Sequence, residues 1–387
     1  MAMRTTSIPA SENPSRRIAF FISTLRCGGA ERAVLNLVRA AAELGIPLDL
    51  LLGRAEGPFL SEVPSEVRII DFKARKLQHT IPKLARYLRQ ERPHGVVSQI
   101  TQANVALLIA RKLARSQTRA VVVEVSSLSA NTAAGVLRPR VRMMARWTYP
   151  AAGHVVGVSC GVARDVERCL GLKQNRVRVI YNPVVDSHLL AGADQPSPHP
   201  WLNERDRPVL LTVGRLGPEK DQATLLRAFA ILRKTRPARL IIYGEGTERA
   251  RLESLRRELD LVADVDLPGM TSNPYAAMRS ASLFVLSSRF EGLGNVLIEA
   301  LACGCPVAAT DCPSGPSEIL AAGQFGMLAP PGNPRALANA MLAGLDQRWD
   351  RQVLRARGAE FSVGKSLNQY LEALDYPLPT TALAGAA

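Results

Sequence analysis

Short runs of consecutive apolar residues recur along the chain, each followed by a turn and then by a stretch with apolar positions three and four apart. RIAFFIS (17–23) runs into the glycine turn LRCGGAER, and a helical pattern follows from about Ala30 to Leu44, with Val34, Leu37, Val38 and Ala41 on one face and Gly45 as its stop. LDLLLG is the next strand, and VRIID (67–71), GVVSQI (95–100), AVVVEVS (120–126), GHVVGVS (153–159) and VRVIYN (177–182) continue the series. Strands that are continuously apolar rather than alternating, with helices between them, predict a parallel sheet covered on both faces.

The rhythm breaks at 191–207, AGADQPSPHPWLNERDR, where prolines and polar residues sustain neither period. PVLLTVGR (208–215) then restarts the same order, with a helix from Gln222 to Lys234, strands at ARLIIYGEG (238–246), SLFVLSS (282–288) and PVAAT, and a helix from Pro334. The reading is α/β: a polar leader (1–16), a first Rossmann-like domain (17–190), a linker (191–207), a second such domain (208–364), a final helix (365–376) packing back on the first domain, and a tail (377–387). Two doubly wound domains of this kind face each other across a cleft, with glycine turns at their strand ends.

Composition narrows the setting. The 387 residues are 47% hydrophobic, enough for more than one core, and 49 Lys and Arg against 34 Asp and Glu leave a formal charge of +15. Such an excess draws phosphate, nucleic acid or an anionic membrane surface. Two stretches of the first domain concentrate it: KARKLQHTIPKLARYLRQER (73–92), and LRPRVRMMARWTYP (137–150), which sets Arg138, Arg140, Arg142 and Arg146 beside Met143, Met144, Trp147 and Tyr149. Cations interleaved with large apolar side chains suit an interfacial helix on an anionic leaflet. Solvated helix faces over a Met- and Trp-lined core fit the same pattern. A nucleic-acid binder would want exposed aromatics along a basic track, and aromatic content is only 5%.

The six cysteines show no paired zinc-ligand spacing, and free thiols in a reducing cytoplasm are the reading. The leader lacks a signal-peptide apolar run, and no stretch reaches the roughly 20 apolar residues of a bilayer crossing.

Candidate chemistry gathers at the turns. Gly28 and Gly29 lie between a strand and a helix start, where backbone N–H groups suit an oxyanion, although a turn needing glycine only for its dihedral angles reads alike. In VGRLGPEKD, Gly214 ends a strand, Arg215 follows and Lys220 sits at a helix entrance, so that a guanidinium and an ammonium could share one diphosphate or simply be solvated. YGEGTER adds Gly244. In EGLGNVLIEALACG, Glu291 belongs to the loop after a strand and Glu299 to the next helix, with Gly292, Leu293, Gly294 and Asn295 between them. Carboxylates so placed reach a sugar ring or a ribose hydroxyl pair, or merely cap and solvate a helix.

The spacing of Glu291 and Glu299 resembles the E-x7-E signature of retaining, nucleotide-sugar-dependent glycosyltransferases of the GT4 family, which have the GT-B fold. STLRCGGAER, VIYNPV (179–184), VGRLGPEKD, IIYGEGTER, SNPYAAMRSASLFVLSSRFEG and ALACGCPVAATDCPSGPSEIL match in the expected order. The resemblance implies that Arg215 and Lys220 clamp the donor diphosphate, that Glu299 binds the ribose and that Glu291 meets the donor sugar. Gly214, Gly244 and the turn from Gly292 to Asn295 would line the donor, and Gly28 and Gly29 the acceptor and phosphate side.

Related enzymes often carry a histidine after about the fourth strand of the first domain. Here Val125 holds that place, and Glu124, Ser126 or Ser127 would substitute. The resemblance further implies a nucleoside-diphosphate sugar, UDP-linked in several relatives, as co-substrate, with no metal required because Arg215 and Lys220 balance the diphosphate. The acceptor it suggests is a lipid-linked glycan or glycolipid at the inner membrane face, as in bacterial surface-polysaccharide, lipopolysaccharide or glycan assembly. Asp264-Val265-Asp266, which looks like the metal-binding motif of the other main glycosyltransferase fold, reads as structural.

Overall fold

The computed structural model describes residues 17–377 apart from Cys27, Pro198 and Arg205. The leader and residues 378–387 of the expected tail lie outside the described residues. Strands β1 (Ile18–Ile22), β2 (Leu48–Leu52), β3 (Arg68–Asp71), β4 (Gly95–Gln99), β5 (Arg119–Glu124), β6 (His154–Gly157) and β7 (Val177–Val179) form one sheet in the order β3-β2-β1-β4-β5-β6-β7. A second sheet follows the order β10-β9-β8-β11-β12-β13, from β8 (Val209–Val213), β9 (Arg239–Tyr243), β10 (Val265–Gly269), β11 (Leu283–Leu286), β12 (Val307–Thr310) and β13 (Met327–Ala329). Every ladder is parallel. Two doubly wound sheets facing a cleft are therefore present, as the continuous apolar runs predict.

The differences are local. Residues 125–126 of the expected AVVVEVS strand leave the sheet after Glu124, because they turn to meet the second unit. The three-residue strand β13 and the helix Arg351–Ala359 have no expectation in the sequence reading; the strand is too short, and closely bounded by glycine and proline, to show a period. The 191–207 segment begins inside a helix, Ser187–Ala193, which packs on the helix Pro274–Ser280. Beyond it, His199 Nε2 pairs with Asp266 Oδ2 at 3.0 Å, and the Arg239 guanidinium lies 5.0 Å from the Trp201 ring, so this segment is fastened to the second unit. The last helix, Val363–Ala373, packs against the first, Gly29–Glu43, and His94 Nε2 lies 2.8 Å from the Leu374 carbonyl.

A fully buried carboxylate, Asp49 of β2, ties the outer strands of the first sheet together. It takes hydrogen bonds from Arg17 (3.0 Å), from Arg68 (2.8 and 2.6 Å) and from the Tyr87 hydroxyl (2.7 Å). Removing it leaves the buried Tyr87 hydroxyl without its acceptor. Asp49→Ala is expected to lower the unfolding free energy by about 2 kcal/mol, read as a shifted midpoint in urea at unchanged slope.

Candidate active site

In parallel sheets all strands end on one edge, and here the two carboxyl edges meet. The β1 turn brings Gly28 and Gly29 to the start of the helix Gly29–Glu43, where a β-carbon built on Gly29 would lie 3.5 Å from Asn295 of the second unit. Asn182 Nδ2 donates to Asn295 Oδ1 at 2.8 Å. Gly292 sits so close to the first unit that a β-carbon there would lie 1.9 Å from the Val125 carbonyl oxygen, a distance no side chain survives. The Ser159 hydroxyl donates to the Gly292 carbonyl at 2.7 Å.

The second unit supplies the charges. After β8, Gly214 opens a turn against that of Gly244: a β-carbon on Gly244 would fall 1.9 Å from the Gly214 carbonyl oxygen. Arg215 is largely exposed and pairs with Glu219 at 2.5 Å, while Lys220 reaches Glu291 Oε1 at 2.6 Å. Ser288 Oγ donates to the same Glu291 oxygen at 2.6 Å. The Ser287 hydroxyl donates to the Lys220 carbonyl at 2.8 Å, and Arg289 N–H to the Glu219 carbonyl at 2.8 Å, stitching the two loops side by side. Both cations of the expected clamp are thus held by carboxylates, which an arriving phosphate would have to replace.

Glu299 lies one turn into the helix Asn295–Ala302, its carboxylate making neither a hydrogen bond nor an ion pair among the described residues. Burial pushes its carboxyl up to about 7, while the positive charges of Arg32 and Lys220 pull the other way. It lines a cavity bounded by Arg32, Asn36 and Asp186 of the first unit and by Tyr275 and Asn295 of the second. A larger groove of about 1190 Å³ between the first and last helices shares Asn36, Arg39, Asp186 and His188 with it.

On the first-unit side the expected residues part company. Glu124 is buried inside the domain, accepting from the Tyr149 hydroxyl, from Thr101 Oγ1 (2.9 Å) and from Asn104 Nδ2 (3.3 Å). Burial raises its carboxyl to about 7 despite those donors. Ser126 Oγ accepts from Asn131 Nδ2 at 2.6 Å, and its Cα lies near Gly292. Ser127 caps the helix Leu128–Ala133 and donates to Asp165 at 2.9 Å. Leu293 is buried and Gly294 caps the Glu299 helix at φ 95°. Cys27 of the glycine turn lies outside the described residues.

The aspartates of DVD are engaged: Asp264 by Arg233 (3.0 and 2.5 Å) and Arg207 (3.4 Å), Asp266 by His199. Sequence reasoning gave no role to Ser159, Asn182 or Glu318, although all three bridge the units. The one available signal for Glu318 was its place in the matched segment ending SGPSEIL.

Comparison with known proteins agrees with this fold. The model of Glycosyltransferase Family 4 matches residues 27–188, and that of Glycosyl transferases group 1 matches 196–361. The chain is a GT-B glycosyltransferase related to the GT4 family. Its chemistry is the transfer of a hexosyl group from a nucleotide-activated donor to an acceptor.

Among its relatives is the N-acetylgalactosamine-N,N'-diacetylbacillosaminyl-diphospho-undecaprenol 4-alpha-N-acetylgalactosaminyltransferase of Campylobacter jejuni, 29% identical over 352 residues, 88% of this chain and 92% of that one. Lipopolysaccharide 1,6-galactosyltransferase of Salmonella typhimurium is 30% identical over 186 residues, 47% of this chain and 49% of its own. HepE of Anabaena, solved in complex with UDP, superposes with a TM-score of 0.79 at 22% identity over 93% of this glycosyltransferase and 100% of that chain. At that identity the likeness is one of fold.

The buried Glu124 yields a prediction for this GT-B protein. Because its carboxyl sits above the ordinary 4.5, at about 7, the folded state binds the proton more tightly than the unfolded chain. Its stabilising contribution is complete below the unfolded value and fades as pH rises through about 7. Glu124→Gln, which keeps an acceptor for Tyr149 without the charge, is expected to flatten the pH dependence of Tm across that window in scanning calorimetry.

Proposed function

We propose that this glycosyltransferase moves a hexose or N-acetylhexosamine, with retention, from a UDP-sugar to a hydroxyl of a lipid-linked glycan at an anionic membrane surface. Arg215 and Lys220 exchange their carboxylate partners for diphosphate oxygens, Glu299 takes the ribose hydroxyls, and Glu291 meets the sugar from beside Lys220. The glycines of the 292–294 turn and of the Gly28-Gly29 turn keep the backbone close to the reacting atoms. As the anomeric carbon–oxygen bond breaks, negative charge grows on the departing diphosphate, and cations aimed at it lower the barrier. In a same-face substitution the acceptor oxygen attacks the anomeric carbon and its proton passes to the leaving phosphate. A double displacement would place a carboxylate nucleophile at that carbon instead. The donor assignment draws support from HepE, whose structures hold UDP, UDP-glucose, or UDP with glucose.

The observation that carries the acceptor reading is one face of the first unit. Helices Ile81–Glu91, Thr101–Ala114 and Pro139–Thr148 pack side by side. Their only acid, Glu91, is paired with Arg68 at 2.9 Å. Arg86, Arg92, Lys112, Arg115, Arg138, Arg140, Arg142 and Arg146 make no ion pair among the described residues. From the same face stand Trp147 (80% exposed), Met143 (58%) and Leu113 (56%). The sequence left a core-facing role open for Met143 and Trp147, but they are exposed, and apolar wedges among unpaired cations suit a headgroup layer. Among the described residues no helix is long and apolar enough to cross a membrane. The Campylobacter relative, by its name, acts on a diphospho-undecaprenol-linked saccharide, which supports the same class of acceptor.

Calorimetric titration with UDP-, GDP- and ADP-sugars in EDTA tests the donor site. One UDP-sugar is expected to bind without added metal, and replacing Arg215 or Lys220 by Ala should cost about 3 kcal/mol, roughly two orders of magnitude in kcat/KM. Absence of binding to every nucleotide sugar would overturn this reading.

Vesicle co-sedimentation tests the membrane face. At about 1 kcal/mol per arginine near an anionic surface, the Arg138→Gln, Arg140→Gln, Arg146→Gln triple variant should lose roughly a hundredfold in partitioning to phosphatidylglycerol vesicles, with little change on neutral ones. Equal partitioning of the wild type to both would favour a soluble acceptor.

A further inference from the structure

The helix Cys160–Leu170 of the first unit begins at the carboxyl end of β6, directly opposite the second unit. A helix start exposes N–H groups that no residue of its own turn can satisfy. Here Ser159 accepts from Val162 N–H at 3.1 Å, and the two N–H groups before it find their acceptor in the other half of the molecule. Glu318 presents one carboxylate oxygen to Cys160 N–H at 2.7 Å and the other to Gly161 N–H at 2.8 Å. A bidentate carboxylate on the positive end of a helix combines charge-assisted hydrogen bonds with a favourable dipole.

The surroundings are built to this contact. A β-carbon at Gly161 would stand 2.6 Å from Ser314 Oγ and 2.9 Å from the Pro313 carbonyl oxygen, so only glycine lets the segment carrying Glu318 come down on the helix. Behind it, Arg357 grips the main chain, with Nη2 on the Glu318 carbonyl at 2.7 Å and Nε on that of Ile319 at 2.9 Å. The Tyr181 hydroxyl adds a long contact of 3.4 Å to the carboxylate. Ser159 also donates to the carbonyl of Gly292, in the loop of Glu291. One helix end thus holds both the catalytic loop and the Glu318 segment.

We infer that Glu318 is a positioning residue for sugar transfer: seated on the Cys160 and Gly161 amides, it sets the angle at which the donor-binding half closes over the acceptor-binding half. It touches neither donor nor acceptor and works through the loop that Ser159 holds. The cavity beside Glu299 is lined by residues of both units, Arg32 and Asp186 from one and Tyr275 and Asn295 from the other. This inference rests on the transferase reading for its kinetic arm alone.

The test pairs kinetics with small-angle scattering. In Glu318→Ala the donor Kd, set by groups of the second unit, is expected to stay within twofold of wild type, while kcat falls ten- to a hundredfold and the ligand-free radius of gyration increases. Glu318→Gln, keeping one acceptor oxygen without the charge, should fall between the two. Gly161→Val, which pushes the segment off from the opposite side, should reproduce the kcat loss and the expansion should Glu318→Ala fail to fold. An unchanged kcat and radius of gyration in these variants would overturn the inference, as would a donor Kd that weakens in step with kcat. A wild type that binds no nucleotide sugar would instead defeat the transferase reading, and the ligand-free scattering would still decide whether Glu318 holds the units closed.

Discussion

Main chain meets main chain where Gly292 faces Val125, and the cleft is organised around that approach. A side chain at 292 would collide with a carbonyl oxygen 1.9 Å from its β-carbon, and the loop that carries Glu291 would have to lift away from the first unit. Two consequences follow from the approach. Glu291 and the start of the Glu299 helix are held by the second sheet yet lie against the strand ends of the first, and Ser159 can reach the Gly292 carbonyl. Residues 125–126 leave β5 early for the same reason, since a main chain committed to the ladder could not turn toward the facing loop.

Around this contact the electrostatics are balanced in advance. Lys220 and Arg215, the cations nearest the expected diphosphate, rest on Glu291 and Glu219, Lys220 sheltered and Arg215 largely in solvent. Glu299 is the exception, a carboxylate with no hydrogen bond or ion pair among the described residues and a proton affinity raised by burial. Glu299 is only half-buried, so its carboxylate faces the cavity between the units rather than a closed shell of protein donors. Glu124, with a proton affinity raised just as far, has three donors around it and no access to the cleft. The two glutamates share a similar pKa for one physical cause and differ in whether a hydrogen-bond shell is already closed.

Much of this was legible in one dimension. Continuous apolar runs alternating with helical periods determined two parallel sheets, because strands buried on both faces have no polar side to show. Glycine after a strand end marked the turns at Gly28, Gly214, Gly244 and Gly292, and at Gly244 and Gly292 a β-carbon would meet a facing carbonyl oxygen at 1.9 Å. The seven-residue interval between Glu291 and Glu299 placed one carboxylate in a loop and the other one turn into a helix. Acidic DVD, by contrast, carried no information about its partners until Arg233, Arg207 and His199 were seen to claim it.

What the sequence determined by itself, then, was each layer's composition and the residue types at its strand ends, since both follow from periods and intervals of a few residues. Tertiary structure alone decided which ends face each other. The pairing of Glu318 with the amides of Cys160 and Gly161 spans 158 and 157 positions, and that of Ser159 with Gly292 spans 133. No local pattern encodes such a contact, because a backbone N–H is the same chemical group at every residue and becomes a binding site only where a helix start happens to face a carboxylate from another domain.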